Sequence, residues 1–136
     1  MIDKEIIKIA SNTENHGVLD NHTHFSKLKN SICGDDMKVY LIVKDNKIMN
    51  FKYECESCIY CQASVSLLSR SAKNKSIEKL KSFAEKAKSC FEKSTKSFDK
   101  DWKEFDRILG KNNKSRKECL LLPVNTMLDA LNKKST

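Results

Sequence analysis

The sequence predicts an α+β fold, a small antiparallel three-stranded sheet with helices packed on one face. Three observations predict it. After a short first helix the hydrophobic period is two as far as residue 53 and about 3.6 from residue 59, so sheet elements precede helices. The pair Asp45-Asn46 separates two alternating runs, the signature of a hairpin. Three Gly and one Pro among 136 residues fall far below the roughly 12% of average usage, which excludes collagen-like and linker compositions and favours a helix-rich domain with few tight turns.

Each element has its own warrant. Residues 2–10 carry Ile2, Ile6, Ile7 and Ile9 among charges and read as an amphipathic helix, which the polar run 11–16 ends. Residues 24–32 alternate weakly and form the first strand, with Cys33-Gly34-Asp35-Asp36 as the turn behind it. Residues 38–44 put Val39, Leu41 and Val43 on one face, residues 47–53 do the same with Met49, Phe51 and Tyr53, and the hairpin joins the two. Residues 59–73 form one helix. Ser76 caps the next, in which Ile77, Leu80, Phe83 or Ala84, Ala87 and Phe91 keep to one side while lysines take the other. Phe98, Trp102, Phe105 and Leu109 make a third stripe, read as core packing rather than a base-stacking surface, and Gly110 stops it. A basic linker, 111–117, leads to Cys119, and Pro123 opens a last helix carrying Val124, Met127, Leu128 and Leu131. No repeat or low-complexity linker divides the chain, so residues 1–136 are expected to form a single domain.

Charge narrows the partners. The net charge is +8, but residues 70–117 hold sixteen Lys or Arg against seven Asp or Glu, so the rest of the chain sums to −1. A Lys-rich helical stretch without interleaved aromatic platforms or a nucleic-acid motif reads first as a solvated face, then as a surface for an acidic protein, and only last as one for nucleic acid. No apolar run approaches the ~18 residues of a membrane helix. The first ten residues mix acids into their apolar positions and are not Arg-rich, which argues against a secretory signal or transit peptide and for a cytoplasmic address.

Six cysteines, Cys33, Cys55, Cys58, Cys61, Cys90 and Cys119, are many for a reducing compartment, where a cluster points to metal or sulfur chemistry rather than to disulfides. Turns and helix starts present metal ligands without stretching a strand. Gly34 frees the turn that carries Cys33 and Asp35. Cys58 lies where the hairpin gives way to a helix whose first amides favour a thiolate. Cys119 follows the cations Arg116 and Lys117. Three thiolates and a carboxylate make a sensible ligand set for zinc or iron, although spacing alone leaves the three cysteines balanced between ligands and small buried hydrophobes. Cys55, Cys58 and Cys61 also have the spacing of a ferredoxin run, but its fourth Cys is missing. Cys55, Cys61 and Cys90 read as packing residues. His16, His22 and His24 sit upstream in a loop and strand and are given no metal role.

The residues around these positions resemble the NifU-like scaffold family that includes IscU and SufU. Asn15-His16-Gly17-Val18-Leu19-Asp20 is similar to its early Gly-X-Leu-Asp segment, and Cys33-Gly34-Asp35 to its first ligand turn. Cys58, followed five residues later by Ala63-Ser64-Val65-Ser66, resembles the second. Arg116-Lys117-Glu118-Cys119 with Leu122-Pro123 resembles the third, and the likeness covers about residues 5–133. Ile32 stands where many members have a small residue after Pro, Cys55 where Gly is frequent, and Glu118 where the IscU branch has a histidine. Leu121 to Val124 resemble the chaperone-recognition tract of that branch but follow the third Cys instead of preceding it, so chaperone binding is not carried over. The separation of 61 residues between Cys58 and Cys119 is similar to the SufU branch.

The resemblance implies an iron–sulfur cluster assembly scaffold that builds a transient cluster, of the 2Fe–2S kind, on Cys33, Cys58 and Cys119 with Asp35. It implies a cysteine desulfurase as sulfur source and apo iron–sulfur proteins as acceptors. The alternative it implies is a zinc-dependent sulfurtransferase in which Cys119 accepts persulfide sulfur. A nucleic-acid module explains the basic helices but leaves Cys33-Gly34-Asp35 without a role.

Overall fold

A computed structural model describes residues 4–30, 34–91 and 98–133. It contains helix α1 (Lys4–Ala10), strands β1 (His24–Asn30), β2 (Asp35–Lys44) and β3 (Lys47–Glu56), then helices α2 (Ile59–Ser71), α3 (Ile77–Ser89) and α4 (Lys117–Leu131). The strands form one antiparallel sheet in the order β1-β2-β3. Met37, Val39 and Leu41 of β2 lie opposite Cys55, Tyr53 and Phe51 of β3 and face the helices. All but the half-buried Cys55 are fully or almost fully buried. α4 lies across β1 and β2, while α2 packs between α1 and α4. The expected layer of helices on one face is therefore present.

The hairpin forms as two residues dictate. Asp45 and Asn46 have φ of 53° and 64°, the left-handed pair of a type I′ turn. A bulge between Ile42 and Val43 shifts the register beyond it, so Ile48, opposite Val43, enters the core and Met49 is 49% exposed. That corrects the expected face of Met49. Gly34, at φ +72°, supports the return from β1 to β2, and its N–H donates to the Asn30 carbonyl at 2.7 Å. Pairing begins at once, so Asp35 and Asp36 open β2 rather than extend the turn.

Ser76 caps α3 as expected, accepting from the Lys79 N–H at 3.2 Å. The third apolar stripe is a pair of short 3₁₀ turns over Lys100–Arg107, broken at Trp102, not an α-helix. Asp99 caps the segment by accepting from the Asp101 N–H, and Asp106 accepts from the Phe98 N–H, which fastens the residue before the cap. The stripe is nonetheless core: Phe83 stacks on Trp102 with centroids 4.2 Å apart and meets Phe98 and Phe105 at 5.4 and 4.7 Å.

Two expectations about the last third are overturned. The supposed linker is a 3₁₀ segment, Lys111–Arg116, and α4 starts directly after it at Lys117. Pro123 therefore lies inside α4 and does not open it. Burial of Leu120, Leu121, Leu122, Val124 and Met127 offsets the backbone hydrogen bond that Pro123 cannot donate to the Cys119 carbonyl. Among the described residues no helix is long and apolar enough to cross a membrane.

Candidate metal centre

The serines of α2 join the elements that carry the candidate ligands. Ala63 and Ser64 have no side-chain exposure, and small residues there let α4 approach closely. Ser64 Oγ donates to the Leu120 carbonyl at 2.7 Å, fixing α4 one residue beyond Cys119. Ser66 Oγ donates to the Asn12 carbonyl at 2.6 Å, and Ser69 accepts from the buried Asn15 side chain at 3.1 Å. The loop after α1 is thereby held to α2. Its Gly17 N–H reaches the Tyr53 carbonyl at 2.8 Å, so it lines the edge of β3. The Ala-Ser-X-Ser run thus serves position, not coordination.

Cys58 is the N-cap of α2 and is half-buried. Its N–H donates to Asp35 Oδ1 at 3.0 Å, which ties the helix start to the start of β2. Cys119 lies in the first turn of α4, 1% exposed, where the helix N-terminus favours a thiolate. Asn30, the last residue of β1, points its side-chain amide at Cys119 Sγ from 3.8 Å. The Arg116 guanidinium, expected beside Cys119 as a counter-charge, lies over the Tyr60 ring of α2 at 5.0 Å. That stacking again joins the two helix starts.

One ligand atom each from Asp35, Cys58 and Cys119 lie within 4.8 Å of one another. Around a tetrahedral ion with ~2.3 Å metal–sulfur bonds, donor atoms stand about 3.8 Å apart, so side-chain shifts of ~1 Å close the set. The donors fit zinc or iron. Asp35 supplies a second sign: it is 3% exposed, and its Oδ2 is buried with no hydrogen-bond partner. A buried carboxylate oxygen without a donor is costly unless a cation serves it. Cys33 lies outside the described residues, so its place in the set rests on sequence. The centre is also less open than an exposed end of the fold, because of these three residues only Cys58 reaches solvent appreciably.

The other cysteines separate by environment. Cys90, at the C-cap of α3, is packed, and burial pushes its thiol up to about 11. Cys61 is fully buried one turn into α2, and burial raises its thiol strongly. Cys55 is half-buried, with its thiol also raised by burial. The buried Ser57 hydroxyl, which lacks a hydrogen-bond partner closer by, lies beside both Cys55 and Cys61. Spacing could not have revealed that proximity. Among the described residues no histidine joins the set: His16 packs edge-on against Tyr53 at 5.4 Å, His22 Nδ1 bonds to the Leu19 carbonyl, and His24 Nδ1 to Thr23.

The chain is 29% identical over 133 residues to the iron-sulfur cluster assembly scaffold protein IscU of Thermotoga maritima, a match covering 98% of this chain and 94% of that protein. It is 30% identical over 79 residues to scaffold protein IscU 1 of Archaeoglobus fulgidus, covering 58% of this chain and 52% of the relative. Among solved structures, the N-terminal part of a nitrogen-fixing NifU-like protein from Brucella abortus superposes with a TM-score of 0.88 at 20% identity, over 96% of this chain and 91% of the other, which shows the shared fold. A protein from Fervidobacterium islandicum AW-1, described as a candidate iron-sulfur cluster assembly scaffold for the SUF system, superposes with a TM-score of 0.80 at 25% identity over 96% of each chain. The model of the NifU-like N terminal domain matches residues 1–94, well over half of the 136. The chain belongs to the NifU-like N terminal domain family.

Proposed function

We propose that this chain is an iron–sulfur cluster assembly scaffold, with Cys33, Asp35, Cys58 and Cys119 holding the nascent cluster and residues 1–136 acting as one such domain. The observation that carries the reading is the convergence of Asp35, Cys58 and Cys119, with one buried Asp35 oxygen lacking any donor. Three thiolates suit iron and a carboxylate suits release, because a hard oxygen holds a thiophilic metal less firmly than a fourth sulfur does. A relative named as such a scaffold, matched over 98% of this chain, supports the same reading. On it, a cysteine desulfurase supplies sulfur, Cys119 is the principal sulfur acceptor, and apo iron–sulfur proteins receive the product.

The second reading is a zinc-dependent sulfurtransferase. The tight burial of Cys119 favours it to this extent: a thiol held in a closed metal site is released for attack only when the site opens. Anaerobic purification followed by metal and acid-labile sulfide analysis decides between the two. Iron with stoichiometric sulfide supports the scaffold. Tightly bound zinc without sulfide overturns it in favour of the transferase.

A further inference from the structure

Cys58 and Cys61 bracket the first turn of α2. Cys58 is the N-cap, and its carbonyl accepts from the Gln62 N–H at 3.0 Å, so the turn that contains Cys61 is closed and regular. Three residues of helical rise separate their Cα atoms by ~4.5 Å along the axis. With the turn of the ~2.3 Å helix cylinder added, their Cα atoms stand about 5 Å apart, within the roughly 4.4–6.8 Å that disulfides span, so the backbone spacing admits a bond between them. The two thiols are free, and they differ in the way a working pair requires: Cys58 is half-buried, whereas Cys61 is fully buried behind it. An outer thiol can receive sulfur while an inner one attacks only its neighbour. Asp35 pins the outer residue through the Cys58 N–H, and Cys119 brings a third sulfur within 4.8 Å of Cys58.

We propose that Cys58 and Cys61 are a persulfide-reducing dithiol, which converts sulfane sulfur to sulfide inside the metal site. The inference rests on the scaffold reading, since it deepens the sulfur chemistry of the same site. In the first step the Cys58 thiol takes the outer sulfur of a Cys119 persulfide, giving Cys58–S–SH and restoring Cys119–SH. In the second, the Cys61 thiol attacks the inner sulfur of Cys58–S–SH and hands its proton to the departing outer sulfur, so no free Cys61 thiolate is formed in the core; the S–S bond of the persulfide breaks, the Cys58–Cys61 disulfide forms, and H₂S leaves. Two thiols lose two electrons and the sulfane sulfur gains them. An external thiol then reduces the disulfide and frees Cys58 to bind metal.

The test is a single turnover. The reduced, metal-free full chain receives one equivalent of glutathione persulfide under anaerobic conditions, with glutathione alone as control. Released sulfide is quantified, and disulfides are mapped by mass spectrometry. Wild type is expected to release close to one sulfide per chain and to gain a Cys58–Cys61 disulfide. Cys61→Ser and Cys61→Ala, two variants in case one fails to fold, are expected to lower the sulfide yield at least fivefold and retain the persulfide. Cys55→Ser and Cys90→Ser are expected to behave as wild type. An unchanged yield in both folded Cys61 variants, or a disulfide linking Cys55 to Cys58, overturns the proposal. Iron binding by the Cys61 variants separates this failure from the other: iron retained with sulfide yield unchanged rejects only the dithiol, whereas iron bound by neither wild type nor variants rejects the scaffold reading beneath it.

Discussion

Replacing Asp35 with Ala is expected to lengthen the life of a reconstituted cluster. On the proposed reading the carboxylate would ligate iron and its charge would be drawn towards the metal. On release, Oδ1 recovers its full charge-assisted bond to the Cys58 N–H, now seen at 3.0 Å. Such bonds contribute about 1.5–3 kcal/mol. Recovery of part of this bond lowers the barrier to letting go, and its removal slows release by up to about tenfold, since ~1.4 kcal/mol is a factor of ten. The apo fold changes less. Loss of an acceptor for Cys58 N–H is opposed by removal of a buried carboxylate whose Oδ2 has no donor, so the net shift in unfolding free energy is expected to stay within about 2 kcal/mol. The assay follows visible absorbance of the anaerobic, reconstituted protein after addition of a chelator. Faster loss in Asp35→Ala than in wild type refutes the reasoning and makes Asp35 an ordinary structural ligand.

Other expectations follow from the same structure. Phe83→Ala, which empties the centre of the Phe98, Trp102 and Phe105 cluster, should cost about 3–5 kcal/mol, read as a lower urea midpoint. Lys133 and, next, Ser26 hold the Asp129 carboxyl below its usual range, so its contribution is present above the unfolded value of ~3.9 and is lost as pH falls through the folded one. Asp129→Asn should therefore be less stable by under ~1 kcal/mol at neutral pH, the pair being partly exposed, and thermal melts should show the difference begin to shrink below about pH 4 and vanish once pH has fallen past the folded value. With a cysteine desulfurase and radiolabelled cysteine, persulfide label should concentrate on Cys119 in Cys58→Ser, which cannot pass it on; full label in Cys119→Ser, or label only on Cys55 or Cys61, moves the acceptor elsewhere.

What the sequence made legible follows from how local each signal is. Asp45-Asn46 specify their turn through their own φ angles, and Ser76 specifies its cap through one hydroxyl, so both were readable. The alternation of Val39 and Leu41 fixed the inner face of β2, but a bulge two residues from the hairpin reversed Met49, and a bulge leaves no mark in alternation alone. Pro123 misled for the opposite reason. Its local preference is for the first helical turn, and only the burial of α4 against the sheet and α2 shows why the helix runs through it. Asp35 and Cys58 were readable as candidate ligands from type and position. The bond between them, and the unpartnered Asp35 oxygen, depend on β2 meeting α2 across 23 residues of sequence and were not.

Cobalt titration tests the central claim, that Asp35, Cys58 and Cys119 hold one metal ion, most directly. Thiolate-to-cobalt charge-transfer intensity rises with the number of bound thiolates, and cobalt adopts the geometry of a zinc or iron site. Wild type is expected to bind one cobalt per chain with intensity from three thiolates, Cys33 included. Cys58→Ser and Cys119→Ser should each lose about a third of that intensity, Asp35→Ala should keep it, and Cys55→Ser should match wild type. Full intensity in either Cys58→Ser or Cys119→Ser contradicts the account.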